Sequence, residues 1–170
     1  MHEPLNLPEN AREIIDKMLE ADENELYTLL GEYLGVEENG QPHPTEPRNY
    51  ESVACQGLGI IGSHLSPAQG PTQRLMPGEW STTLRTRMEK GKRLLEESQE
   101  KLHHNICIEM NACKLDKNTL TDSRTLFGLL LPAIVSAVEV AIPAAAIATV
   151  TIIIIMKWSI RSYCNCGKNN

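Results

Sequence analysis

LFGLLLPAIVSAVEVAIPAAAIATVTIIIIM, residues 126–156, carries one charged side chain, Glu139, in 31 residues. A stretch this apolar leaves water, either for lipid or for a protein core. As one straight helix it would be roughly 46 Å long, against a hydrocarbon layer of ~30 Å. Such a span would carry Glu139 toward the bilayer centre, where a charge costs about 3 kcal/mol. Pro143 inside it lacks the N–H that an interior helical residue donates. Two helices joined by a turn at Glu139 and Pro143 remove all three objections. The first runs from about Asp122 to Val140 and the second from Pro143 to about Arg161, with Pro143 at the first helical position.

The segment is expected to present Leu126, Leu130, Ile134, Val138, Ile142, Ile147, Ile152, Ile155 and Trp158 to lipid or to a packed interface. Lys157, Arg161 and Lys168 form a basic flank at one end and Arg124 stands at the other, as in a hairpin with both ends cytoplasmic. The alanines between Ala141 and Ala148 let membrane helices approach closely. Two rivals compete with the membrane hairpin. One is a single span at 140–156 with 120–138 at the interface. The other is a buried hairpin in a soluble helical core, with Pro132 kinking its first arm. The four consecutive isoleucines, Ile152–Ile155, favour lipid, because that helix is apolar all round.

The remaining chain reads as helical with a thin supply of aromatics: one Phe, two Trp and four Tyr. Residues 1–35 form an acidic helical hairpin. Ile14, Ile15, Met18 and Leu19 share one face, Asp22 caps the second helix, Leu26, Leu29, Leu30 and Leu34 repeat along it, and Gly35 closes it. Residues 36–80 are a Pro/Gly-rich linker or loop, in which only 50–65 offers a short helix or turn. An amphipathic helix over 81–111, with its connector reaching 119, is capped by Ser81. Its seam is Leu84, Met88, Gly91, Leu95, Ser98, Leu102 and Ile106, and the small Gly91 and Ser98 invite close approach of a neighbour. The apolar hairpin occupies 120–163 and a polar tail 164–170. The fold class is all-α: a small helical bundle with a long amphipathic helix and a C-terminal apolar helical hairpin.

The net charge of −6 is graded, from −9 over residues 1–50 through zero over 51–100 to +3 over 101–170. That gradient argues against nucleic acid as a partner and fits a C-terminal end near anionic lipid. The N-terminal residues lack the pattern of a signal peptide. Five cysteines without a secreted-framework spacing imply reduced thiols in a cytoplasmic setting.

No motif builds a catalytic site. Gly57-Leu-Gly59-Ile-Ile-Gly62 matches the dinucleotide fingerprint in letters, but Pro67 follows too soon for the required helix and no βαβ pattern surrounds it, so a flexible turn explains it. His103, His104, Cys107, Cys113, Cys164 and Cys166 contain enough ligands for zinc if the tail folds back, yet no C-x₂-C pair is present. Cys107 and Cys113 offer a disulfide if oxidised, and Cys164 and Cys166 are acylation candidates near a membrane. Cys55 or Ser63 beside His64 lacks an orienting third group. The basic run Arg85, Arg87, Lys90, Lys92 and Arg93 has no interleaved aromatics and reads as a solvated face.

These observations predict a non-enzymatic, membrane-associated helical protein without cofactor or metal, its soluble part cytoplasmic. In layout it is a small effector or adaptor that anchors in or perturbs a membrane on meeting a protein partner, with homo-oligomerisation open. The alternative is a soluble, cytoplasmic interaction module whose apolar hairpin is core or oligomer interface.

Overall fold

The computed structural model describes residues 5–38, 50–64, 77–137 and 145–167; among them the chain is all-α. Helix α1 (Ala11–Glu20) buries Ala11, Ile14, Ile15 and Met18, the spacing of one helical face. Helix α2 (Glu23–Glu38) starts at Asp22, whose N–H donates to Glu25 Oε2 at 3.3 Å, one half of a capping box. It runs past Gly35, the expected stop. Helix α3 (Tyr50–His64) is a full helix within the expected linker. Helix α4 (Pro77–His103) reaches back before Ser81.

The chain then widens for one turn and reverses. A π-helical turn (His104–Glu109) ends at Asn111, which adopts the left-handed conformation at φ 56°. A 3₁₀ turn (Ala112–Lys114) leads to α5 (Lys117–Thr121), capped by Asp116 Oδ1 accepting from the Thr119 N–H at 2.7 Å. Helices α6 (Ser123–Ala137), α7 (Ala145–Trp158) and α8 (Ile160–Tyr163) complete the described chain.

Helices α2 and α4 pack antiparallel through two glycines. A Cβ on Gly91 would collide with the Tyr27 carbonyl, and one on Gly31 with the Arg87 carbonyl. Each glycine thus accepts the backbone of the other helix, as the smallness of Gly91 foretold. Leu95, Ser98, Leu102 and Ile106 of the expected seam are buried, and Met88 is half-buried.

Helix α7 is the centre of the molecule. Its eleven residues from Ala145 to Ile155 are buried without interruption, and α1, α2, α3, α6 and α8 pack around it. Thr149 and Thr151 satisfy their hydroxyls within the helix, donating to the carbonyls of Ala145 at 2.7 Å and Ile147 at 2.8 Å. A helix apolar on every side needs an apolar environment on every side, and here other helices supply it. Gly57 of the fingerprint-like run lets α3 approach α7, since a Cβ there would strike Ala145 and Thr149; Gly62 faces Ile14, and Gly59 meets nothing. The run is therefore a helix-packing face, not a turn, and its mid-helix N–H groups are committed to the helix.

The residues expected to face lipid or a packed interface meet protein within the chain where they are described. Leu126, Leu130, Ile134, Ile147, Ile152 and Ile155 are each no more than 5% exposed within one core cluster, and Trp158 packs half-buried against it. The apolar segment supplies two helices that pack on each other, α6 and α7, and residues 138–144 between them lie outside the described residues. The turn residues Glu139 and Pro143, with Val138, Ile142 and Lys168, lie outside the described residues. Two expected flanking cations are tied into the bundle, Lys157 Nζ donating to the Leu19 carbonyl at 3.0 Å and Arg124 to that of Leu7 at 2.7 Å, while Arg161 is exposed. Among the described residues no helix is long and apolar enough to cross a membrane.

Candidate functional site

Four of the five cysteines pair, contrary to the expectation of reduced thiols. Cys107 bonds Cys164 and Cys113 bonds Cys166, with Cα–Cα separations of 5.4 and 5.5 Å, while Cys55 is free and exposed. The expected Cys107–Cys113 pairing is replaced by two bridges from the C-terminal end to the turns after α4. Local sequence explains the alignment. Asn165 sits left-handed at φ 53°, Cys166 N–H donates to Arg161 O at 2.9 Å, and Asn165 N–H donates to Ser162 O at 3.2 Å. This is a Schellman motif with asparagine at its left-handed position. It turns the chain so that two cysteines one residue apart meet two cysteines of the π and 3₁₀ turns. The tail does fold back as a zinc site required, but sulfur–sulfur bonds consume the thiolates. Among the described residues no group of histidine, cysteine and carboxylate side chains is arranged to hold a metal.

The bridges hold α8 beside α4, and between them lies a cleft of about 420 Å³. Its lining combines Tyr27 of α2, Lys92, Leu95, Glu96, Gln99 and Leu102 of α4, Trp158 of α7, and Ser162 and Tyr163 of α8. Three of the chain's seven aromatic residues thus meet at one place. Trp158 and Tyr163 stack with centroids 6.0 Å apart and planes 21° from parallel, and His103 meets Tyr163 at 5.8 Å. Lys92 Nζ lies over the Tyr27 ring, 5.4 Å from its centroid.

Glu23 organises one side of this cluster. Its Oε1 accepts from Tyr27 Oη at 2.6 Å and from Trp158 Nε1 at 2.8 Å, joining the start of α2 to the end of α7. Those two hydrogen bonds hold the Glu23 carboxyl below its usual range, with Lys157 and Lys92 adding a smaller pull. Burial, then the Glu23 hydrogen bond, pushes the Tyr27 phenol up, and burial does the same to Tyr163. The Tyr163 hydroxyl is buried with no hydrogen-bond partner among the described residues.

The other sequence candidates do not converge. Cys55 is exposed on α3, and the side chains of Ser63 and His64 lie outside the described residues. The basic run of α4 is spread over its surroundings: Arg87 faces Glu32 at 3.9 Å, Arg85 faces Glu89 at 3.8 Å, and Lys92 turns to Tyr27. Sequence reasoning missed the aromatic cleft because Tyr27, Trp158 and Tyr163 lie on three different helices. Its one available signal was the closeness in sequence of Trp158 and Tyr163, both just ahead of Cys164 and Cys166. No family model matches this chain, nor does any curated protein or solved structure.

Proposed function

We propose that this chain is a non-enzymatic helical interaction module whose apolar segment forms its core, and that the aromatic cleft receives its partner. The observation that carries the reading is the unbroken burial of Ala145–Ile155 beneath five other helices. The four consecutive isoleucines have their apolar environment within the chain, so lipid is not needed to account for them. The two disulfides speak for an oxidising setting over the cytoplasm. Oligomerisation stays open in this reading, as does a protein partner.

Membrane association is the second reading, and a specific feature favours it. With both threonine hydroxyls bonded internally, residues Ala145–Ile155 of α7 present no unmet side-chain polar group to a new apolar solvent. Insertion would require α7 to leave the bundle. At 14 residues it is about 21 Å long, short of the ~30 Å hydrocarbon layer unless extended. Expression of the full chain in an oxidising compartment, with extraction in detergent-free buffer, separates the readings. The module should be recovered as a monodisperse species with one titratable thiol per chain after denaturation without reductant. Retention in the membrane pellet until detergent is added would overturn the module and leave the membrane reading.

A further inference from the structure

The segment that follows α7 is fastened to the bundle almost entirely by sulfur. Its backbone hydrogen bonds are local: Tyr163 N–H donates to Ser159 O, Cys164 N–H to Ile160 O, Asn165 N–H to Ser162 O and Cys166 N–H to Arg161 O. Among the described residues, none from Ser159 to Gly167 makes a hydrogen bond or ion pair with another helix, save Ser159 N–H to Met156 O at the end of α7. What remains is the buried Ile160, the Tyr163 ring beside Trp158 and His103, and the two bridges.

Three features oppose this docked position. Ser159 stands at φ 68° and ψ 125°, a conformation that a residue with a Cβ adopts only at a cost. Its side chain leaves the start of α8 uncapped, and a helix of four residues has little stability of its own. The Tyr163 hydroxyl is buried and exchanges its water for no partner among the described residues. The bridges offset these costs, and a reductant can reach them: none of the four cysteines is buried, and Cys113 is exposed.

We propose that residues 159–167 are a redox-released strap, closed against the cleft while the bridges stand and freed about Ser159 when a dithiol opens both. The proposal rests on the reading of the chain as a module with α7 in its core and its partner site in the cleft, and it adds the regulation of that site. At each bridge a thiolate of the dithiol attacks one protein sulfur, and the second thiol resolves the mixed disulfide. Two electrons and two protons pass to the protein, giving two cysteine thiols and one cyclic disulfide of the reductant. Cys113–Cys166 opens first, because Cys113 is exposed, and Cys107–Cys164 still holds the strap until it opens in turn. Release takes Ser162 and Tyr163 out of the cleft wall and uncovers the Trp158 face on which Tyr163 stacks. The Tyr163 hydroxyl then meets water and Ser159 leaves its positive φ. Helix α7 stays buried, since α1, α2, α3 and α6 cover it without the strap.

The test uses the full chain, purified oxidised, with dithiothreitol as the reductant and intact mass reporting how many bridges are open. Hydrogen exchange is read by mass spectrometry over residues 160–167 and over residues 147–155. With both bridges open, exchange over 160–167 should rise about tenfold or more while 147–155 keeps its protection. In Cys113→Ser with Cys166→Ser, exchange over 160–167 should stay near that of the oxidised parent until dithiothreitol opens the remaining bridge. Tyr163→Phe keeps the stacking ring and removes the orphan hydroxyl, so the reduced variant should exchange about fivefold more slowly over 160–167 than the reduced parent. Three results overturn the strap: unchanged exchange over 160–167 in the fully reduced chain, loss of protection over 147–155 together with 160–167, or a reduced Tyr163→Phe chain that exchanges as fast as the reduced parent. Sedimentation of the oxidised chain without detergent reports separately on the module reading, so failure of the strap and failure of the buried core give different results.

Discussion

Helices α4 and α7 are held in the same bundle by opposite means. Helix α4 has one apolar face and a glycine, and it meets α2 backbone to backbone while Arg85, Arg93 and Glu97 remain in water. Helix α7 has no polar face at all and meets a neighbour on every side. The difference teaches where sequence periodicity carries information. An amphipathic stripe states which side is inside, so the α4 seam leads directly to its contacts. A helix apolar all round states only that water is excluded, and does not say what excludes it.

The sharpest way to break this comparison is a charge in α7. Ile154 is fully buried, and Ile154→Asp would place a carboxylate among aliphatic side chains without a partner. The expected loss exceeds ~4 kcal/mol, enough to abolish a cooperative thermal transition in a bundle of this size, whereas Ile154→Leu should cost under ~1.5 kcal/mol. Circular dichroism melting reads both. A folded, cooperative Ile154→Asp chain would show that α7 is not the core.

The bridges come next in size. Closing a loop of 57 residues is worth about 4 kcal/mol in the chain-entropy model, and the second bridge closes only a short further ring, worth ~2.5 kcal/mol. Removing one bridge by Cys107→Ser with Cys164→Ser should therefore cost roughly 2–3 kcal/mol, and removing both about 5 kcal/mol or more. Denaturant melts of the three chains check the inequality. Additive losses, with each bridge worth about 4 kcal/mol by itself, would mean that the two do not share a loop constraint.

Much of this architecture was legible. The α1 face, Asp22 at the start of α2 and the close approach at Gly91 all follow from spacing, capping and residue size. The reach of α4 before Ser81 was not, because glycine and proline density reads as loop; the stretch 50–65, offered as a short helix or turn, is the helix α3, in which Gly57 and Gly62 serve packing. The disulfide pairing was hidden for another reason: it depends on the left-handed Asn165 and on turns fixed by tertiary contact. The cleft needed four helices, α2, α4, α7 and α8, in place before its lining came together.

The crossing of α2 and α4 predicts an intermediate effect. Gly91→Ala and Gly31→Ala each push a methyl into a carbonyl of the partner helix, so the helices must separate. Although alanine is the better helix former, each should destabilise by ~1–3 kcal/mol, the range for overpacking. Leu102→Ala, which empties a site 2% exposed, should cost ~2–5 kcal/mol, while Arg85→Ala should stay within ~0.5 kcal/mol. If either glycine variant melts higher than the parent, the close crossing is wrong.

The smallest expected effect is the most local, and it concerns where α2 and α7 are joined at Glu23. Its carboxyl is held below the ordinary value of 4.5 by hydrogen bonds from Tyr27 and Trp158. The unfolded chain then binds more protons than the folded one in acid, so stability rises with pH across that window. The contribution is complete above about pH 4.5 and is lost as pH falls through the folded-state value. Because Glu23 is partly exposed, screening keeps it under ~1 kcal/mol. Glu23→Gln keeps an acceptor oxygen for both donors but removes the proton equilibrium. Asp116 and Asp122, also held low by their hydrogen bonds, weaken both chains alike in acid and cancel in the difference. The melting-temperature gap between parent and Glu23→Gln should be positive at pH 6 and shrink as pH falls below 4.5. The Trp158 indole resonance should titrate in the same window in the parent and stay flat in the variant. A gap that holds constant from pH 6 to pH 3, with a flat Trp158 signal in both chains, would mean that Glu23 does not clamp α7 to α2.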